Sequence, residues 1–328
     1  MTTPTDTPET NTRVLPEPVL PAVELQLHRP KEPGVATVVK TEICTNPKAA
    51  GFVRHIELDI SATEIAGRFR AGQSFGVVPP GTTDKGRPHS VRLYSIASPT
   101  RGEDGRGSVL ATTVKRSIDE HWDNHELFLG VASNYLCNLQ VGDEVRVTGP
   151  SGKKFLLPEN AADWNYLFFA TGTGIAPFRG MLGDLYASGT TPPNKAALIM
   201  GSPYRTDLLY DETLAELART HDGLSYLTAI SRESDPHTGK RLYVQDRLAT
   251  HRDQMIDLLS QDNALIYVCG IAGMELGIFR GLAQHLPPEI LDRFVEIDPE
   301  IASDPASWTR RMIHKQIKPT KRVFLEVY

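Results

Sequence analysis

Cysteine is scarce in this 328-residue chain. Cys44, Cys137 and Cys269 lie far apart with no Cys-x-x-Cys pair, which excludes a four-cysteine iron–sulfur cluster or a zinc ribbon built from this chain alone. It also leaves no disulfide framework and points to a reducing compartment. Long apolar runs are missing: none approaches the ~20 residues a bilayer span requires, so no membrane span is expected. Basic excess is missing too. Against 40 Asp and Glu stand 35 Lys and Arg, a net charge of −5, the wrong sign for a general nucleic-acid binder. Residues 1–33 are rich in Pro and Thr with acids interspersed. They lack the apolar core of a secretory signal and the acid-poor, Arg-rich character of a transit peptide. They read as a disordered extension, and a cytoplasmic location is expected.

What remains is ordinary globular composition, 40% hydrophobic and 23% charged, in a chain long enough for two domains with their own cores. From Gly34 to Pro158 short β-rich runs alternate with turn residues. The runs are Val35–Val39, His55–Ile60, Ser74–Val78, Ser90–Ile96, Val109–Val114 and Glu144–Thr148, with Gly142-Asp143 and Gly149-Pro150 as punctuation. Six strands with little helix predict a small antiparallel barrel or sandwich, with one short helix over Tyr135–Leu139. After Pro158 the pattern changes. Tyr166–Ala170, Ala196–Met200, Leu224–Ile230 and Ala264–Cys269 are compact apolar runs, each followed by a helix-compatible stretch, as in a parallel α/β sheet. The division is therefore 1–33 extension, 34–158 β domain, 159–328 nucleotide-fold domain.

Several segments have the residue types of a nucleotide or flavin site. Thr171-Gly172-Thr173-Gly174-Ile175-Ala176-Pro177 follows an apolar strand and opens a helix. Its glycines let backbone approach a phosphate, and the helix start favours an anion. It is not GxGxxG, and alone it fits a ligand-free tight turn equally well. Arg92-Leu93-Tyr94-Ser95 combines a guanidinium, a planar ring and a hydroxyl, which suit a flat heterocycle joined to phosphate. Gly130-Val131-Ala132-Ser133-Asn134 offers small residues before a helix, either as a phosphate perch or as an ordinary N-cap. Val323-Phe324-Leu325-Glu326-Val327-Tyr328 alternates, which puts Phe324, Glu326 and Tyr328 on one face. Read alone, a final aromatic of this kind is more often a core plug than a functional group.

In this order, together with Val268-Cys269-Gly270, these motifs closely resemble the plant-type ferredoxin–NADP+ reductase family, over residues 34–328. The resemblance implies an N-terminal antiparallel six-stranded FAD-binding barrel followed by a parallel-sheet Rossmann-like NADP-binding domain. It implies FAD and NADP(H) as cofactors and a ferredoxin or flavodoxin as partner. Tyr94 would stack on one face of the flavin ring and Tyr328 on the other, where the nicotinamide must later sit. Arg92 and Ser133 would meet the pyrophosphate, within the Gly130, Val131, Ala132, Ser133 segment. Ser95 would lie near flavin N5, the atom that exchanges hydride. Thr173 and Gly174 would face the nicotinamide nucleotide, with Gly270 and Met274 completing that side. Ser231, Arg232, Lys240, Arg241, Tyr243 and Gln245 would grip the adenosine 2′-phosphate and its ring, favouring NADPH over NADH. Cys269 would touch the nicotinamide as a small polarisable contact rather than a nucleophile; read alone it is a buried small hydrophobe. Glu326 resembles the family's near-terminal acid, which influences proton delivery. Ser95, Cys269, Glu326 and Tyr328 are thus the expected catalytic set.

The chain departs from the family where an aromatic should stack on the FAD adenine. In the expected loop Ser117–Leu129, Trp122 is the strongest stacking candidate, and Lys115 can still meet phosphate. The family's Cys in the Gly-x-x-Ser element is Ala132 here. A basic docking surface for an acidic carrier is expected from Lys85, Lys153, Lys154 and the acid-free stretch 310–322. Two other readings compete. One is a reductase component serving an oxygenase, whose relatives often add cysteines that are missing here. The other is a non-catalytic flavin module, which would have lost the reacting-site groups.

Overall fold

Alternating apolar residues build the first half of the protein. The computed structural model describes residues 15–328. The first half contains β1 (Gly34–Ile43), β2 (Val53–Asp59), β3 (Ser74–Val77), β4 (Arg92–Ser95), β5 (Val109–Lys115), β6 (Ile118–Glu120), β7 (Leu127–Leu129), α1 (Val131–Asn138) and β8 (Glu144–Ser151). Six of the strands pair antiparallel in the order β4-β3-β8-β1-β2-β5. The two edges meet: Ile96 bridges Thr112, and Ala97 N donates to Ala111 O at 2.7 Å. That closes the sheet into a barrel without exposed edges. Its interior is filled by residues such as Val38, Ile56, Leu58, Phe75 and Val147.

Two local expectations are corrected. The stretch Ser117–Leu129 is not a plain loop, because β6 and β7 pair as a hairpin. Helix α1 starts at Val131, ahead of the expected Tyr135, with extended Gly130 (φ −61°, ψ 115°) as its cap and no side-chain capping bond. Ser133 and Asn134 therefore lie inside the first turn rather than capping it.

The second half contains β9 (Asn165–Thr171), α2 (Ile175–Leu185), β10 (Ala196–Ser202), α3 (Asp211–Thr220), β11 (Leu224–Ile230), α4 (Arg247–Thr250), α5 (Arg252–Leu259), β12 (Ala264–Gly270), α6 (Met274–His285), α7 (Pro288–Leu291), β13 (Val295–Ile297), β14 (Ile317–Pro319) and β15 (Val323–Val327). Five strands form a parallel sheet in the order β11-β10-β9-β12-β15. Every residue of β12 and all but the last of β9 are buried, as expected for strands covered by helices on both faces. The order reverses between β9 and β12, and open α/β sheets bind ligands outside the strand ends at such a point. Between α7 and β15 the chain makes a packed excursion through the β13–β14 hairpin. It is anchored by buried Trp308, whose Nε1 donates to Ile301 O at 2.9 Å.

The disordered reading of 1–33 fails for residues 15–33; residues 1–14 lie outside the described residues. Residues 15–33 form a strap. Pro16 O accepts from Arg322 Nη2, Glu17 pairs with Lys321 at 2.6 Å, and Glu159 N donates to Val19 O at 2.9 Å. Glu24 pairs with Arg68, and Gln26 N donates to Pro150 O at 2.9 Å. His28 and Gly149 exchange backbone bonds at 2.9 and 3.1 Å. The strap thus touches β8, the connection to β9 and the start of β15. An extended Pro-rich segment has free carbonyls to offer, and the polar groups it meets are satisfied by them.

Candidate active site

The nucleotide half contributes a cleft at the topological switch point. Gly172–Gly174 makes a tight 3₁₀ turn at the end of β9 and leads straight into α2. Gly174 is required by packing: a Cβ there would stand 2.3 Å from Cys269 O and 2.6 Å from the Gly270 Cα. The turn can therefore press against the end of β12 only without a side chain. The resulting cleft, about 650 Å³, is lined by Thr173, Ser231, Tyr243, Gln245, Met274 and Tyr328, among others. Gly174 and Gly270 form its support rather than its wall. Arg232, Lys240 and Arg241 are exposed and do not line it. The loop carrying Lys240 and Arg241 is fixed from beneath. Buried Asp235 accepts from His237 N and Thr238 N at 3.0 Å each and pairs with Arg247 Nη2 at 2.7 Å. Burial works against the Asp235 charge, but these bonds hold its carboxyl well below the usual range.

Lys115, expected at the flavin nucleotide, stands at the end of β5 and lines this cleft with Tyr328. The Tyr328 hydroxyl is 2.7 Å from the Thr173 hydroxyl. Its backbone is tied to the end of β12: Tyr328 N donates to Gly270 O at 3.0 Å, and Ala272 N donates to Tyr328 O at 2.8 Å. Tyr328 as a residue is 60% exposed and lines the cleft, so it is no core plug.

Behind Tyr328 the expected reacting groups converge, with one addition. β15 lies parallel to β12 with Cys269 opposite Glu326. Glu326 Oε1 accepts from Ser74 Oγ at 3.4 Å, and Ser74 is the cross-strand partner of Ser95. Ser95, Ser74, Glu326 and Cys269 thus form one file running from the barrel into the nucleotide half. Ser74 was not singled out in the sequence. It is an unremarkable strand residue there, and only the β3–β4 register brings it to the site. Burial raises the Glu326 carboxyl above its usual range, partly offset by the Ser74 bond. Burial, with the Glu326 charge behind it, raises the Cys269 thiol far above its ordinary value. A thiol held protonated is a contact, not a nucleophile.

On the barrel side, Tyr94 lies beside Phe75, ring centroids 6.5 Å apart. Arg92 is exposed and makes no ion pair among the described residues. The N-cap of α1 is Gly130, which makes no side-chain capping bond to the first-turn N–H groups. Ser133 sits in that turn, its hydroxyl accepting from Ser117 N at 3.2 Å and donating to Gly130 O at 3.2 Å. Ala132 packs inward, buried, while Val131, Leu93, Ile118, Leu127, Phe128 and Leu129 are exposed. Trp122, in the hairpin turn, is 95% exposed and stacks on no ring among the described residues. A helix start without a side-chain cap, an exposed guanidinium with no ion pair among the described residues and uncovered apolar side chains fit a group with a flat ring at one end and a pyrophosphate in the middle.

A barrel with a dinucleotide perch, facing a nucleotide cleft at a switch point, defines a two-domain oxidoreductase that joins FAD to a nicotinamide coenzyme. Comparison with known proteins agrees. Residues 168–278 match the family model described as oxidoreductase NAD-binding domain. A ferredoxin–NADP reductase of Spirulina sp is 38% identical over 265 residues, covering 80% of this chain and 89% of its own length. A chloroplastic root isozyme of ferredoxin–NADP reductase from Arabidopsis thaliana is 37% identical over 315 residues, covering 93% of this chain and 77% of its own. The fold matches the solved ferredoxin-NADP+ reductase of Plasmodium falciparum with a TM-score of 0.67 at 22% identity, covering 93% of this chain and 99% of that one. The chain belongs to the ferredoxin–NADP reductase family.

Proposed function

We propose that this protein exchanges electrons between NADP(H) and a small acidic carrier, a ferredoxin or flavodoxin, with Ser95, Cys269, Glu326 and Tyr328 as the groups around the reacting atoms. The observation that supports it best is the Ser95–Ser74–Glu326–Cys269 file, which ends beside Tyr328 at the mouth of the nucleotide cleft. FAD, when bound, accepts two electrons at once from NADPH and releases them singly to the carrier. The chain orients the partners. Tyr94 and Tyr328 would hold the flavin ring, Arg92 and the α1 start with Gly130, Val131 and Ser133 would hold the pyrophosphate, and the exposed Trp122 would be free to meet the adenine. Thr173, Gly270 and Met274 seat the nicotinamide half. Ser231, Arg232, Lys240, Arg241, Tyr243 and Gln245 take the 2′-phosphorylated adenosine. Lys115 guards the seam between the two sites. The half-buried Glu326 carboxyl, which accepts from Ser74, keeps a proton to higher pH than an exposed glutamate. Ser95→Val should keep FAD bound yet slow flavin bleaching by NADPH. An unaltered bleaching rate removes Ser95 from the reacting set.

The carrier docks at a second cleft, about 780 Å³, lined by Lys153, Lys154, His314 and Lys321, with Glu326 within it. Of the basic stretch 310–322, Arg310 is spent on Glu275 and Arg322 is buried against Ala264 O and Pro16 O. His314 and Lys321 are its contribution. Charge steering of this kind weakens as salt rises; carrier reduction that is indifferent to ionic strength removes this surface. The cytoplasmic location belongs to the same proposal, which the three free thiols support. Finding the protein in another compartment on cell fractionation removes it.

A further inference from the structure

Beside the cleft, the turn after β10 is tied to the turn after β11 by five contacts. Ser231 N donates to Ser202 O at 3.0 Å, and Arg232 N donates to Pro203 O at 2.9 Å. Arg205 N donates to Glu233 Oε1 at 3.0 Å, and Arg205 Nε pairs with Glu233 Oε2 at 3.5 Å. The Arg232 guanidinium lies over the Tyr204 ring, 5.7 Å from its centroid. Next to them, Ser202 lines the cleft with a buried hydroxyl that has no hydrogen-bond partner among the described residues. A buried orphan hydroxyl costs free energy unless a polar ligand meets it.

These contacts do two different things to the charges at the rim. An exposed Arg on a free loop samples many rotamers; a ring beneath its guanidinium narrows them. Glu233 would oppose an anion next to Arg232, and the Arg205 backbone and guanidinium turn its carboxylate away and neutralise it. From this arrangement we infer that Tyr204, with Arg205, is a specificity-determining platform that presents Arg232 to the 2′-phosphate of adenosine. The inference rests on the proposed assignment of Arg232 to that phosphate. Tyr204 acts through Arg232 and is a positioning residue.

Binding of adenosine 2′,5′-bisphosphate and of 5′-AMP to the full FAD-loaded protein, followed by calorimetry, separates the possibilities. In Tyr204→Leu the bisphosphate should bind about two- to five-fold more weakly, the size of an exposed cation–π contact, with 5′-AMP unmoved. Tyr204→Phe, which keeps the ring, should bind as the parent does. Adding Tyr204→Leu to Arg232→Ala should cost nothing further, since the contact is already gone. Equal weakening of both ligands, no weakening, or an additive double variant overturns the platform while leaving Arg232 in place. If Arg232→Ala alone leaves bisphosphate binding unchanged, the phosphate assignment itself fails, and the platform with it.

Discussion

Tyr328 and Glu326 make opposite demands on their surroundings, and both follow from the register of β15 against β12. Tyr328 is left at the cleft mouth, where its hydroxyl meets Thr173 and its ring occupies space a nicotinamide would need. Tyr328→Ser should therefore tighten nicotinamide binding and reduce the preference for NADPH over NADH. An unchanged NADPH/NADH ratio of kcat/KM contradicts that role. Glu326 is drawn inward, where burial raises its carboxyl, so it keeps a proton to higher pH than an exposed glutamate. Its folded value lies above the unfolded one. It therefore favours the fold in acid and withdraws that stability as pH rises through the folded value. If its proton serves the reaction, the pH–rate profile of the native protein has an inflection above the ordinary carboxylate range that Glu326→Gln loses. A profile unchanged by the substitution removes Glu326 from proton handling. Both residues were candidates in the sequence, because period-two alternation puts them on one face. Ser74 was not: its role depends on which strand lies opposite β4, and pairing across β3 and β4 leaves no mark in either segment.

At the scale of elements, the continuous apolar runs read correctly as buried parallel strands, and each barrel strand appears where turn residues bracketed it. Short, weakly patterned pieces were harder. The hairpin strands β6 and β7 are three residues each and wholly exposed, so no burial pattern marks them. The strap could not be read at all. Pro- and Thr-rich sequence has no apolar periodicity, and its order comes from backbone carbonyls that meet Arg322, Glu159 and the end of β8. A chain beginning at Gly34 should fold and retain FAD but melt several degrees lower, as it loses these bonds and exposes the buried Arg322 side chain. Calorimetry of the two forms checks this, and identical melting temperatures would mean the strap contributes nothing. Within it, Glu17→Gln should release Lys321 and tighten binding of an acidic carrier at low salt, by little, because that pair is exposed. Titration with ferredoxin at low and high salt reads the difference.

Over the whole molecule, the two halves meet through polar side chains as well as the apolar residues of β2 and α2. Buried His55 on β2 is hydrogen-bonded to Tyr210 at 2.9 Å and to Glu57 at 3.2 Å, and Tyr210 to Thr113 at 2.6 Å. Glu103 pairs with Arg179 on α2, and Glu57 with Lys40 at 3.3 Å. Burial first, then the Arg179 charge, push the His55 imidazole down to about 4. The folded value lies below the unfolded one. The junction should therefore be intact above about pH 6.5 and weaken as pH falls toward 4, by at most about 1.4 kcal/mol per pH unit. Chemical denaturation across that range should show the slope, and His55→Gln should flatten it; an equal slope in both proteins places the acid sensitivity elsewhere. Reduction of a flavin on the barrel by a nicotinamide carrying a 2′-phosphate is read by anaerobic visible-absorbance titration of the purified protein with NADPH and, separately, NADH. The expected outcome is a flavin spectrum bleached by NADPH at far lower concentration than by NADH. A protein that shows no flavin spectrum even after FAD is added, or one bleached equally by both coenzymes, would contradict it.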